Sequence, residues 1–386
     1  MKNITKSGII ALLLTSSLTI MVGTAIAPSL TEIAINLDFS FSPGWLITLP
    51  SLGVVLFAPI IGRLISKLGA FKLLTLGLIP YAILGYSGGY ISDPYVLIVN
   101  RILLGGSAVA IQVAVTTYIA DYFEGQRRIE LIAWQGMAIE VGGVVFLSIG
   151  GVLGEWHWRS PFLIYLIALP CFILVRTVLP KEKRVHNAPV SSVAPIIGTK
   201  EKKEVTIIFW SALLAMVLFF VSFVRLPQFL PESFEFSDSY VGYFMALISL
   251  IAVISASQMP KIVAKINSYN TVALGFAFFM LGYICFAFSM TITLLFPAAI
   301  FIGIGFGLTI PLLNHMMVEV SDKKSQGKNL GLYSMAVFAG QFLSTFIEFI
   351  ANDPRTIFGI AAFLALIIST ILFLLSKKMS VYLARA

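Results

Sequence analysis

The sequence is poor in charged residues. Of its 386 residues only 11% are Asp, Glu, Lys or Arg, whereas 58% are hydrophobic. Soluble globular proteins carry about 25% charged residues, so these side chains are too few to cover a soluble protein of this size. The scarcity argues against a soluble single-domain enzyme, a disordered protein and a nucleic-acid binder. The mean hydropathy of +0.96 indicates an all-α membrane protein with many spans.

Residues for metal, redox and nucleotide chemistry are also scarce. The two cysteines, Cys171 and Cys285, both lie in apolar stretches, which indicates buried thiols rather than a disulfide framework. The three histidines, His157, His186 and His315, are far apart and lack metal-ligand spacing. No Walker A phosphate loop is present. We therefore expect no metal, no cofactor and no ATP-driven chemistry in this chain.

Twelve apolar segments are each close to the ~20 residues that a helix needs to cross a bilayer. They lie at 8–27, 43–62, 73–91, 95–119, 131–153, 161–179, 206–226, 240–259, 271–289, 293–317, 330–350 and 356–376. The first also imitates a signal peptide, because Lys2 and Lys6 precede an apolar run that ends in Ala25-Ile26-Ala27. Cleavage there would leave eleven spans, and we favour twelve.

The basic residues indicate the orientation. With a cytoplasmic N-terminus, 22 of the 26 Lys and Arg residues fall in connections on the cytoplasmic side. The exceptions are Arg101, Arg159, Arg225 and Arg355. Because basic residues concentrate in cytoplasmic loops, both termini are predicted to lie in the cytoplasm, with the chain in the cell membrane. This distribution also accounts for the net charge of +8 without nucleic acid.

The longest connection divides the spans six and six. We therefore predict an N-terminal bundle over 1–180, a cytoplasmic linker over 181–205 and a C-terminal bundle over 206–386. A shift of 198 residues without gaps aligns three regions of the two halves. The matched positions are Arg63 with Lys261, Lys67 with Lys265, Asp121 with Glu319, Met137-Ala138 with Met335-Ala336, and Gly142 with Gly340. The alignment predicts two pseudo-symmetric six-helix bundles, as in transporters built from parallel repeats.

Three degenerate motifs occur in order along the N-terminal half. After span two, the stretch 62–69 keeps both glycines and one basic residue of G-x-x-x-D-R-x-G-R-R, with Ser66 in place of the acid. Span four carries Arg101 at the Arg of R-x-x-Q-G-x-G, and 142–151 keeps three glycines of G-x-x-x-G-P-x-x-G-G. The chain thereby resembles the major facilitator superfamily, in its twelve-span drug/proton antiporter branch. The resemblance implies the major facilitator fold and transport by alternating access of the two bundles.

Two charged residues lie inside predicted spans. Glu140 is near the middle of span five, where an ionised side chain costs about 2.5–3.5 kcal/mol on insertion scales. We interpret it as a proton-binding carboxylate, with a structural hydrogen bond between spans as the alternative. Arg101 is offset from it by only about 7 Å along the membrane normal, at ~1.5 Å per residue. The resemblance gives Arg101 a coupling role, and the alternative is snorkelling to lipid head groups.

Other polar residues in the spans are candidates for substrate binding. They are Gln112, Arg225, Asn314, Gln341 and Glu348. Arg101, Gly105, Ala108 and Gln112 share one small, polar helix face that would suit a cavity wall. For the other candidates, hydrogen bonding between helices is the alternative. For Arg225 we favour an ion pair with Glu232 or Glu235 in the following loop over an anionic substrate, and for His315 we expect solvation rather than a proton role.

A conformational latch is implied by the resemblance at the cytoplasmic ends of spans two and four. Its predicted members are Gly62, Arg63, Lys67, Gly69 and Asp121. Because Ser66 replaces the family's acid, Asp121 alone would supply the negative charge of a cluster with Arg63, Lys67 and the start of span eleven. Plain anchoring of basic residues at the cytoplasmic surface is the alternative, and it leaves Asp121 unexplained.

The predicted function is proton-coupled efflux of small amphipathic or drug-like molecules by a monomer. Its partners would be the substrate, protons and the lipid bilayer. A first alternative is a dedicated exporter of one metabolite, such as a siderophore or an amino-acid derivative, because Arg101, Arg225 and Gln341 would suit an acid. A second alternative is an intramembrane serine hydrolase, since 85–89 reads G-x-S-x-G around Ser87.

Overall fold

The structure is a computed structural model that describes residues 4–181, 199–322, 325–351 and 353–383. Within these ranges the chain is helical, and no strand occurs. Most of the predicted linker over 181–205 lies outside the described residues. The N-terminal half contains α1 (Lys6–Thr24), α2 (Leu30–Asn36), α3 (Trp45–Ser87), α4 (Pro94–Tyr122), α5 (Gly125–Trp156) and α6 (Ala168–Val178), with a 3₁₀ helix at Ser160–Ile167 before α6.

The C-terminal half repeats this helix-rich organisation. It contains α7 (Thr199–Phe234), α8 (Asp238–Ile266), α9 (Ser268–Ala287), α10 (Leu295–Val320), α11 (Gln326–Leu343) and α12 (Pro354–Leu383). A short 3₁₀ turn at Ile292–Leu294 precedes α10, and α11 continues as a 3₁₀ helix over Ser344–Phe349.

Eleven helical segments in the described ranges are long and apolar enough to cross a membrane. One of them, α3, has 43 residues, or about 65 Å at ~1.5 Å per residue, roughly twice the thickness of a bilayer core. The second and third predicted spans both lie in α3, on either side of Gly69, whose φ of 75° and ψ of 165° interrupt the helix. The eleven segments therefore hold the twelve predicted spans, and the protein is a multi-pass membrane protein.

The same backbone break occurs in both halves. Asn267, which separates α8 from α9, has φ 66° and ψ 168°, almost the values of Gly69, and it lies 198 residues later. Glycine adopts this region without strain, whereas Asn267 stabilises it by accepting a hydrogen bond from the Asn270 amide at 2.9 Å. The helical segments Pro94–Tyr122 and Ile292–Val320 also correspond at both ends under this shift.

Close contacts between helices repeat in the same register. A Cβ atom added at Gly105 in α4 would overlap the carbonyl oxygen of Pro50 in α3. The positions 198 residues later are Gly303 and Ile248, where the added atom would lie 2.7 Å from the carbonyl oxygen. Only glycine permits such close backbone approach. The pseudo-symmetry predicted from the sequence therefore extends to individual helix contacts.

A second glycine contact follows the same rule. A Cβ atom at Gly77 in α3 would lie 3.1 Å from Cγ1 of Ile111 in α4, and one at Gly275 in α9 would lie 2.5 Å from Cγ2 of Thr309 in α10. Both members of the second pair stand 198 residues after those of the first. Spans three and four thus pack in the same way as spans nine and ten.

The described residues form two compact units. The first comprises those of Met1–Val190 with Leu230–Ala246, and the second those of Ser191–Phe229 with Leu247–Ala386. Leu230–Ala246 joins the first unit through contacts such as the hydrogen bond from Ser239 Oγ to Glu155 Oε2 at 2.6 Å. The domain boundaries predicted from the sequence remain a prediction.

We predict that Gly105→Ala destabilises the protein, because the new methyl group must push α4 away from the Pro50 carbonyl. Overpacking of this kind costs about 1–3 kcal/mol, and the apparent Tm of the purified protein should fall by several degrees. Gly136→Ala in α5 is the matched control, since an added Cβ there meets nothing within 4 Å and alanine favours helix. An unchanged Tm in Gly105→Ala would contradict the observed packing.

Candidate functional site

The carboxylate of Glu140 lies near the middle of α5 and is half-buried. Within the described residues no hydrogen bond or ion pair reaches it. An ionisable group inside a span is costly and is typically paired or facing water. Glu140 is therefore available to bind a proton or another cationic group.

Arg101 is the largest fully buried side chain in the described part of the chain, with 0% exposure. Its guanidinium carbon lies 5.1 Å from the ring centre of Phe162 and 5.9 Å from that of Tyr165. In the described residues none of its three guanidinium nitrogens has a hydrogen-bond acceptor. The predicted pairing with Glu140 is thus not formed in this structure, and snorkelling to head groups does not fit a side chain without exposed surface.

The aromatic walls around Arg101 are fixed by hydrogen bonds to the backbone of α1. The Tyr81 hydroxyl donates to the Leu18 carbonyl at 2.5 Å, and the Tyr165 hydroxyl donates to the Val22 carbonyl at 2.7 Å. The sequence analysis missed both tyrosines, because nothing in their spacing relates them to Arg101. Only the packing of the 3₁₀ helix Ser160–Ile167 against α3 brings them together.

The glycines of the G-x-S-x-G pattern make room for this arrangement. A Cβ atom at Gly85 would overlap the ring of Tyr165, and one at Gly88 would overlap the guanidinium group of Arg101. Ser87 Oγ donates to the Leu84 carbonyl at 3.3 Å and accepts from Asn100 Nδ2 at 3.2 Å. The pattern is explained by helix packing.

The helix face shared by Arg101 and Gln112 is mostly packed. Gly105 contacts the backbone of α3, and Ala108 is 2% exposed. At these two positions the interpretation of the face as a cavity wall is wrong, because the small residues serve close approach of α3 and α4. Gln112 remains half-buried near the other end of the face.

Two of the substrate-binding candidates meet in the second unit. Arg225 Nη1 lies 3.1 Å from Glu348 Oε1, and the two side chains are only 9% and 7% exposed. Gln228 joins them: its Oε1 accepts from Arg225 Nη1 at 2.9 Å, and its Nε2 donates to Glu348 Oε1 at 3.3 Å. We call these three residues the Arg225 cluster. The expectation that Arg225 pairs with Glu232 or Glu235 is wrong.

The remaining candidates occupy different environments. Gln341 is 8% exposed in α11, whereas Asn314 is exposed in α10. His315, beside Asn314, is also exposed and lies 3.5 Å from Glu319 Oε2. Solvation of His315 was the favoured interpretation, and its exposure agrees with that.

The predicted latch residues surround the break in α3. Gly62, Arg63 and Lys67 are exposed, and Gly69 forms the break itself. The charge cluster with Asp121 and the start of span eleven, and the latch it would form, stay predictions.

A comparison with known families decides the classification. The family described as Major Facilitator Superfamily matches residues 12–345. The chain belongs to this superfamily. Its match covers both halves of the repeat, which agrees with the resemblance seen in the motifs.

Two of the named relatives are a resistance protein and an exporter. The chain is 26% identical over 316 residues to the class B tetracycline resistance protein of Escherichia coli, covering 78% of this chain and 77% of that protein. It is 26% identical over 361 residues to the bacillibactin exporter of Bacillus subtilis (strain 168), covering 88% and 89%. Efflux transport by a superfamily member is thus supported.

A solved structure agrees with the fold. A mutant form of the nucleoside transporter NupG superposes with a TM-score of 0.77 over 95% of this chain and 98% of that one. Its sequence is only 13% identical, so this likeness concerns the fold alone.

We predict that Arg225→Ala strongly destabilises the second unit, because it leaves the Glu348 carboxylate buried without its cation. Breaking a buried pair in this way costs about 3–5 kcal/mol, and the apparent Tm in detergent should drop accordingly. The double variant Arg225→Met/Glu348→Met should regain most of this loss, because no buried charge remains. If the double variant is no more stable than Arg225→Ala, the pair is not the cause.

Proposed function

We propose that the protein exports small amphipathic or drug-like molecules across the cytoplasmic membrane in exchange for protons, by alternating access. The observation that carries this proposal is the half-buried Glu140 carboxylate in the middle of a span, which pairs with none of the described residues. The relative named as a bacillibactin exporter, which matches 88% of this chain, supports the export direction.

The proposed proton carrier is Glu140. A carboxylate in the membrane interior is stable when neutral and costly when charged, so it binds a proton where water reaches it and must release it before the next cycle. Arg101 is the proposed coupling partner. Since the two do not pair in the described structure, their contact would form in another state of the cycle, with Arg101 leaving part of its aromatic surroundings.

The other predicted residues complete the proposal. The substrate site is formed by Gln112, Arg225, Asn314, Gln341 and Glu348, with Arg225 acting through its ion pair with Glu348. The latch that stabilises one conformation of the transport cycle is formed by Gly62, Arg63, Lys67, Gly69 and Asp121. Gly69 supplies the bend, and the exposed basic residues are available for ion pairs. A monomer is sufficient for this cycle.

We predict that Glu140→Gln abolishes uphill export, because the amide cannot change its charge. Proteoliposomes with an imposed pH gradient would be assayed with tetracycline and rhodamine 6G as probes. Exchange of probe down its own gradient should survive, since the two side chains have nearly the same shape. Glu124→Gln, at the exposed start of α5, is the matched control and should behave as the unchanged protein. Full gradient-driven export by Glu140→Gln would refute a coupling role.

A dedicated exporter of one metabolite is the second candidate. It is favoured by the similarity to a bacillibactin exporter over nearly nine tenths of both chains. An acidic metabolite was expected to bind Arg225, but the guanidinium group of Arg225 already forms an ion pair with the Glu348 carboxylate. A thermal-shift screen of the detergent-purified protein against drugs, siderophores and lipids separates the two candidates, since a dedicated exporter would respond to a single class.

The proposed orientation, with both termini in the cytoplasm, predicts the labelling of single cysteines in intact cells. Thr293→Cys, exposed between α9 and α10, should react with a membrane-impermeant maleimide. Ser66→Cys, exposed near the break in α3, should react only after the cells are opened. The unchanged chain supplies the background from Cys171 and Cys285. The reverse pattern would invert the topology.

A further inference from the structure

The Arg225 cluster leaves one carboxylate oxygen without a partner. Both Arg225 and Gln228 donate to the same atom, Glu348 Oε1. Glu348 Oε2 is buried and has no hydrogen-bond partner within the described residues. An ionised carboxylate can accept about four hydrogen bonds. A buried acceptor that receives no hydrogen bond destabilises the folded protein. The cluster is therefore incomplete on one side.

The chemistry of the missing group follows from the kind of atom that is unpartnered. A carboxylate oxygen accepts hydrogen bonds, so its partner must carry an N–H or O–H group. An anionic group would be repelled by Glu348. A proton bound at Oε2 would itself become a donor, and it would need an acceptor in turn. A donor supplied by another molecule satisfies the atom directly.

The position of Glu348 suits contact with a ligand. It lies in the 3₁₀ helix Ser344–Phe349 that ends the eleventh span, and its side chain is only 7% exposed. Three buried polar residues precede it at helical spacing, namely Gln341, Ser344 and Thr345. In a 3₁₀ helix side chains three residues apart are aligned, so Thr345 and Glu348 continue one polar stripe.

We propose that Glu348 Oε2 accepts a hydrogen bond from an N–H or O–H group of the exported molecule. Substrates would accordingly be amphipathic molecules that carry a donor, with an amine preferred, and simple acids would be excluded. Gln228 and Arg225 act as positioning residues that hold the carboxylate through its other oxygen. This inference rests on the proposed export function and specifies the chemistry of the substrate.

Three dyes with one xanthene core test the proposal by fluorescence anisotropy on the full chain in detergent. Rhodamine 6G is a cation with N–H groups, tetramethylrhodamine methyl ester is a cation without them, and fluorescein is an anion. Rhodamine 6G should bind about tenfold more tightly than the methyl ester, as expected for one charge-assisted hydrogen bond. Fluorescein should bind more weakly than either dye.

Two variants test whether Glu348 causes the preference for a dye with N–H groups. In Glu348→Gln, and in the double variant Arg225→Met/Glu348→Met, the ratio of the two rhodamine affinities should fall towards one. Glu319→Gln is the matched control, because Glu319 is exposed, and it should keep the ratio. Since partial misfolding would weaken both rhodamines together, the ratio reports the hydrogen bond rather than the amount of folded protein.

Three results would overturn the proposal. Equal affinities for the two rhodamines in the unchanged protein would mean that only a water molecule satisfies Oε2. An undiminished ratio in both variants would place the donor preference elsewhere, and tighter binding of fluorescein would reverse the charge preference. Because binding is measured without a pH gradient, failure of proton-driven export in proteoliposomes would count against the proposed function alone.

Discussion

Close approach of helix backbones at glycine is the constraint on which this architecture depends. In a bilayer the helices gain little from burying apolar side chains, so they associate by tight packing between small residues. The contacts of Gly105 with Pro50 and of Gly303 with Ile248 bring the second and fourth spans of each half together at backbone distance. The positions of the charged side chains follow, since these contacts set the rotation of each helix about its axis.

The two buried arginines illustrate different ways of holding a cation within a span. Arg225 has a carboxylate and an amide, so its charge is balanced locally. Arg101 has aromatic faces and no anion within the described residues. Cation–π contact stabilises a charge less than an ion pair does when water is excluded. The charge of Arg101 is therefore less strongly stabilised than that of Arg225, which fits a group proposed to change partners.

The fold could be predicted from the sequence because hydrophobic length and basic loops are one-dimensional signals. The repeat could also be predicted, since Gly142 and Gly340 are related by the 198-residue shift. The partner of Arg225 could not be predicted, because Glu232 is seven residues away in the sequence and Glu348 is 123 residues away. Choosing between them requires the rotation of α7 and α11, which short-range spacing does not contain. The aromatic surroundings of Arg101 were missed for the same reason.

The breaks at Gly69 and Asn267 have a consequence for biosynthesis. Each joins two spans through a single non-helical residue, so no flexible loop separates the two spans. We expect spans two and three, and spans eight and nine, to enter the bilayer as helical hairpins.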